Sequence, residues 1–244
     1  MREGIESTPE PIFGTPDTRP RRRAAICVFV TALAVLAALS GCGESNDGDE
    51  STKVNGSIHV PAGKQPGAVA TVNGSIHVDD NATVTAARTV NGSVHLGDHA
   101  SATSLDSVNG SIALGAGAHV SGSASSVNGE LTLGDGAEIS GSLSNVNGKI
   151  TLTAAHVGGG IQTVNGSMNI NGASVVEGGI LVQKSSSELL QMVHVPRIVI
   201  GPGATVHGDL RFERTVQLFV SDKATIGTVT GATPISFTGD RPPT

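Results

Sequence analysis

The tripeptide Val-Asn-Gly occurs seven times, beginning at Val54, Val72, Val90, Val108, Val127, Val146 and Val164. The interval is constant to within a single position. A repeat this short cannot bury an apolar face by itself and becomes stable only by lying on its neighbours. The period therefore predicts a solenoid. The 33 Gly, the lack of Trp and Tyr and the five Phe leave Val, Ile, Leu and Ala to fill the interior. Small and β-branched side chains suit a narrow core between short strands.

The shorter interval divides into three sixes, and apolar residues recur six apart from Val72 through Val78, Val84, Val90, Leu96, Ala102, Val108 and Leu114 to Val120. A side of six at roughly 3.3 Å each is about 20 Å long including its corner, and three such sides close a triangle. The expected fold is all-β, a single-stranded parallel β-helix (β-solenoid) of about ten turns of about 18–19 residues, on the order of 45 to 50 Å long. Alternation places Ile76 and Val78 inward and His77 outward, and Val94, His95 and Leu96 repeat the pattern one turn on. Glycine-bearing corners such as Leu114-Gly115-Ala116-Gly117-Ala118 separate the sides. Parallel crossovers favour a right-handed winding, while hexad spacing leaves the left-handed form open.

Superposed repeats bring Asn55, Asn73, Asn91, Asn109, Asn128, Asn147 and Asn165 into one structural column at the strand spacing of about 4.8 Å, each amide bonding the next. Five of these Asn precede Gly-Ser and so match a glycosylation sequon, a reading that a stacked corner disfavours.

Arg19, Arg21, Arg22 and Arg23 precede an apolar run from Ala24 to Leu39. The run is short for a membrane span and has the charge-then-apolar order of a secretory signal. It ends in Leu39-Ser40-Gly41-Cys42, which resembles the lipobox of bacterial lipoproteins. The resemblance implies cleavage before Cys42 and acylation of that residue, making a membrane the expected partner through the lipid anchor. An Asp after the lipidated Cys would imply inner-membrane retention, so Gly43 favours the outer membrane. Cys27 would leave with the signal, and no cysteine then remains for disulfide, metal or thiol chemistry.

These features divide the chain. Residues 1–41 are read as a signal peptide with a polar N-terminal extension, and 42–53 as the lipidated Cys with a flexible acidic tether. Residues 54–182 hold the regular repeats, 183–197 an inserted loop, and 198–237 the C-terminal turns, in which Ile198, Val216 and Pro234 restore the original interval. Leu210, Phe212, Leu218, Phe219 and Phe237 are expected to close the apolar end. Residues 238–244 form a Pro-rich tail that stops further pairing.

Beyond residue 41 there remain 10 basic and 17 acidic side chains, a formal net of −7. Without a basic stripe or stacking aromatics, the chain does not read as a nucleic-acid binder. His59, His77 and His95 share one outward position on three successive turns, close enough for two or three to hold Zn²⁺ or Cu²⁺. Ala113, Thr132, Thr151 and Asn169 follow in that position, no carboxylate column completes a coordination sphere, and the row reads as a solvated face. Asp98, Asp135 and Asp222 read as corner residues rather than Ca²⁺ ligands. Ile200-Gly201-Pro202-Gly203-Ala204-Thr205-Val206 looks like the hexapeptide repeat of β-helical acyltransferases, with His207 as the nearby general base, but an exported chain has no acyl-CoA supply. The paired carboxylates and aromatic platforms of polysaccharide-cleaving β-helices are not evident.

The run Val-Asn-Gly-Ser followed by alternating residues, then Gly-X-Gly-Ala and X-Gly-Ser, resembles the adhesin repeat family of bacterial secreted β-solenoids. It is also similar to the bactofilins, polymer-forming proteins with short-turn β-helices. The resemblance spans about Lys53 to Phe237 and implies a right-handed β-helix and self-association. The expected function is a non-enzymatic, cofactor-free, lipid-anchored envelope protein, a rigid scaffold or adhesion module. The alternatives are a metal- or ligand-binding module using the His row and a hexapeptide acyltransferase.

Overall fold

The computed structural model describes residues 50–184 and 195–243. Cys42, the signal segment, residues 43–49 and the middle of the inserted loop lie outside the described residues. Among the described residues there is no helix, and so none long and apolar enough to cross a membrane. The chain is a parallel β-solenoid. One face carries ten stacked strands, from Ile58–Val60 to Pro234–Phe237. Nine inter-strand steps of about 4.8 Å give a shaft about 43 Å long.

The other two faces share one sheet, which starts with Glu50–Asn55 and Ala68–Asn73 on the third face and continues as a bent ribbon. Thr83–Asn91 and Ser101–Asn109 are single long strands that bend from the second face into the third. In the next turn this ribbon separates into His119–Val120 and Ala124–Asn128. Ala102 still pairs with Val120 at the shorter interval, whereas Leu105 pairs with Ala124, one position further along than that interval would give. The extra residue of the longer repeats therefore enters at the Ser121-Gly122-Ser123 corner and opens it.

Each turn points two residues inward per face. In one turn these are Ile76 and Val78, Ala82 and Val84, and Ala87 and Thr89, all at most 1% exposed. The first members of successive pairs are Ile76, Ala82, Ala87 and Val94, so the three sides are unequal rather than equal sixes. The Val of the repeated tripeptide is consequently not a core residue. Val72, Val90 and Val108 are half-buried and Val54 is 60% exposed.

The residue before that Val faces inward instead. Thr71, Thr89, Ser107, Ser126, Asn145 and Thr163 form a buried polar column, none more than 4% exposed. The first five satisfy glycine carbonyls of the tripeptide corners, Thr71 donating to Gly56 at 3.0 Å, Thr89 to Gly74 at 2.9 Å, Ser107 to Gly92 at 3.2 Å, Ser126 to Gly110 at 3.1 Å and Asn145 Nδ2 to Gly129 at 3.0 Å. A buried carbonyl without a donor would cost about 1 to 3 kcal/mol, which selects a hydroxyl or amide there over a methyl group.

The ends differ from the sequence expectation. The first strand starts at Glu50, inside the segment read as tether, because its backbone pairs with Ala68 onward. Near the C-terminus, Ile198 pairs with Leu218 rather than Val216, and Leu218 pairs with Pro234. The register thus overshoots the expected interval by two positions and then falls short of it by two. Leu210, Phe212 and Leu218 enter the main core, but Phe219 and Phe237 do not. With Val199 they make a separate cluster on the outer surface of the first face. The tail folds back beside it, where Arg197 donates to the Pro243 carbonyl at 2.8 Å and lies 4.7 Å from the centre of the Phe219 ring.

Candidate functional site

The outward positions of a solenoid carry whatever chemistry it has, because the inward ones are taken up by packing. Among the described residues, three arrays of outward side chains along the axis carry the most chemistry.

The first is the asparagine column, which forms in full. Each Nδ2, from Asn73 to Asn165, donates to the Oδ1 of the preceding turn at 2.8 to 3.0 Å. The column is exposed along most of its length rather than buried, so each bond contributes about 1 kcal/mol at most. Beside it, the hydroxyls of Ser57, Ser75, Ser93 and Ser111 accept the backbone N–H one turn on at 3.2 to 3.3 Å. The column stops at Asn165, which belongs to the last Val-Asn-Gly of the sequence. There the buried guanidinium of Arg214 donates to Asn165 Oδ1 and, at 3.0 Å, to the Val164 carbonyl. Burial pushes its pKa below the ordinary value.

The second array is the imidazole row. His59, His77 and His95 stack in register, with ring centres 5.5 and 4.8 Å apart and planes inclined by 7° and 9°. Sequence reasoning found no carboxylate here, and the structure supplies one. Asp79 has Oδ2 at 3.1 Å from His59 Nε2 and Oδ1 at 3.2 Å from His77 Nε2. Asp79 was missed because it follows the strand Ile76–Val78 rather than occupying the His column. Ala113, Thr132, Thr151 and Asn169 continue that column, as expected.

The third array is a chain of alternating imidazoles and carboxylates on the second face. His119 Nδ1 lies 3.4 Å from Glu138, His156 Nδ1 3.6 Å from Glu138 and Nε2 3.4 Å from Glu177, and His207 Nδ1 2.6 Å from Glu177. His207, considered above as a general base, is the end of this chain. His119, Glu138 and His156 pair in register, so a column-by-column reading would have revealed that half. The hydrogen bond from His207, helped by the one from His156 and by the charge of both rings, holds the Glu177 carboxyl below the usual carboxylate range against some loss of hydration.

A lowered folded-state pKa means that the unfolded chain binds more protons between the two pKa values, so the stabilisation is present above the unfolded pKa and lost as pH falls through the folded one. The melting-temperature advantage of the wild type over Glu177→Gln should therefore shrink as the pH falls through the carboxylate range, measured by thermal melts from neutral to acid pH. A gap that is constant or widens in acid would refute the pairing.

The acidic residues Asp98, Asp135 and Asp222 lie at corners. The Asp98 carboxylate accepts the Ala116 N–H at 2.8 Å, and the Asp98 N–H donates to Asp80 at 2.8 Å. Asp222 accepts from the Ser221 hydroxyl at 3.3 Å, and Asp135 is exposed at its corner.

Comparison of the chain with protein-family models, with curated proteins and with solved structures finds no match in any of the three.

Proposed function

We propose that the chain is a non-enzymatic, lipid-anchored scaffold of the bacterial cell envelope, a stiff spacer that associates with copies of itself or presents its faces to an envelope partner. The observation that carries this reading is the use made of the outward polar groups. Turn after turn, amides bond along the axis to their own counterparts and serine hydroxyls accept backbone N–H groups of the next turn, which devotes surface chemistry to stiffness. The anchor rests on the Leu-Ser-Gly-Cys motif behind an Arg-led apolar run, and Gly43 favours the outer membrane.

The test is expression of the full chain in a double-membrane bacterium. The mature protein should begin at an acylated Cys42 by mass spectrometry, fractionate with the outer membrane and appear as slender rods or filaments by electron microscopy. Cys42→Ala should abolish the acylation and shift the protein out of the lipidated membrane pool. An unmodified Cys42 in a soluble wild-type chain would end the anchor reading, and compact, non-elongated particles would end the spacer reading.

A further inference from the structure

We infer that His59, His77 and Asp79 form a surface site for one divalent first-row transition ion of the Zn²⁺ or Cu²⁺ type. The inference is independent of where the protein resides.

The three ligand atoms, one from each residue, all lie within 4.8 Å of one another. Around a tetrahedral ion with bonds of roughly 2.05 Å, donors sit about 3.3 Å apart. Closing that gap takes only side-chain rotation, since His59 and His77 are more than half exposed and Asp79 is partly so.

The backbone already sets the ring positions. Parallel pairing of Ile58–Val60 with Ile76–Val78 puts both imidazoles in register with nearly parallel planes, and both Nε2 atoms are directed at one carboxylate. His95 stacks on the far side of His77 at 4.8 Å and restricts its ring. Asp79 is the one carboxylate at its level in the His-bearing turns, because Pro61 and Gly97 follow the equivalent strands.

Two imidazoles and a carboxylate suit Zn²⁺, Cu²⁺ or Ni²⁺ and do not suit the all-oxygen preference of Ca²⁺ or Mg²⁺. Three protein ligands leave positions for water or for a donor from a partner, which distinguishes the site from a closed structural one. The His119–Glu138–His156–Glu177–His207 chain is the natural control. It contains the same donor types but is strung along the axis instead of gathered around one point.

The experiment titrates the purified full-length protein with Zn²⁺ by calorimetry and with Cu²⁺ by electron paramagnetic resonance. One ion should bind per chain, with nitrogen hyperfine structure from two imidazoles. His77→Gln and Asp79→Asn should each weaken binding at least tenfold while leaving the circular dichroism and melting of the apo protein close to wild type. The double variant His119→Gln, His156→Gln should bind as the wild type does. The inference is overturned if the wild type takes up neither ion, if binding survives His77→Gln and Asp79→Asn, or if the control variant is the one that loses it.

Discussion

Replacing Gly110 by Ala should cost the shaft about 3 kcal/mol, the upper part of the range for forcing extra atoms into a packed site. A Cβ on Gly110 would lie 1.8 Å from the Gly92 carbonyl oxygen and 2.4 Å from its carbon. Both are backbone atoms of the turn below, so no side chain can swing away to make room. The two turns must part at that corner, which strains the Gly92 N–H bond to the Asn109 carbonyl at 3.2 Å and the Asn109 side-chain bond to Asn91 at 3.0 Å. Gly56 provides the contrast. It belongs to the first Val-Asn-Gly, and a Cβ there meets nothing within 4 Å, leaving only the strain of its φ of +110°. Gly56→Ala should therefore cost no more than about 1 to 2 kcal/mol. Thermal melts of the two variants should separate by several degrees, with Gly110→Ala the lower. Equal melting temperatures would show that close approach between turns is not what fixes glycine in the tripeptide.

Arg214→Met should destabilise the protein by about 2 kcal/mol, the scale of hydrogen bonds made by a charged group. Met keeps much of the apolar stem and removes the donors to Asn165 Oδ1 and the Val164 carbonyl. The loss should be local. Hydrogen exchange should speed up in the turns around Asn147 and Asn165 while the turns around Asn73 and Asn91 keep their protection, since each turn touches mainly its neighbours. Uniformly faster exchange, or none, would count against a terminating role for Arg214.

The axial period, the alternation within Ile76-His77-Val78 and the asparagine column were legible in the sequence because each repeats at the period itself. The unequal lengths of the three sides were not. The Val of the tripeptide recurs as faithfully as Ile76 does, yet recurrence does not tell which residue of Thr89-Val90 faces inward. That choice is made by the glycine carbonyl needing a buried donor. Contacts off the strict period were also hidden. His59 pairs in register with His77 but meets Asp79, and His156 pairs with Val175 but meets Glu177, each carboxylate lying two positions beyond the register partner. Arg214 reaches Asn165 from several strands further along the chain. No Val-Asn-Gly follows Val182 to continue the column, and the sequence alone does not say which later residue meets its last amide. Bulky Phe219 and Phe237 read as core for a related reason, since the sequence carries no sign that the tail folds back over the outside of the shaft.

The side-chain amides of the asparagine column all point the same way, each nitrogen toward the N-terminal neighbour and each oxygen toward the C-terminal one. Their dipoles add head to tail, the negative pole falls at Asn165, and the permanent cation of Arg214 sits on that pole. The terminating charge thus caps one end of the column, and each asparagine copy before it adds one equal step. Excising or duplicating one central copy changes the reach by about 4.8 Å and leaves the terminating charge on the same pole, so this architecture can be resized without being redesigned.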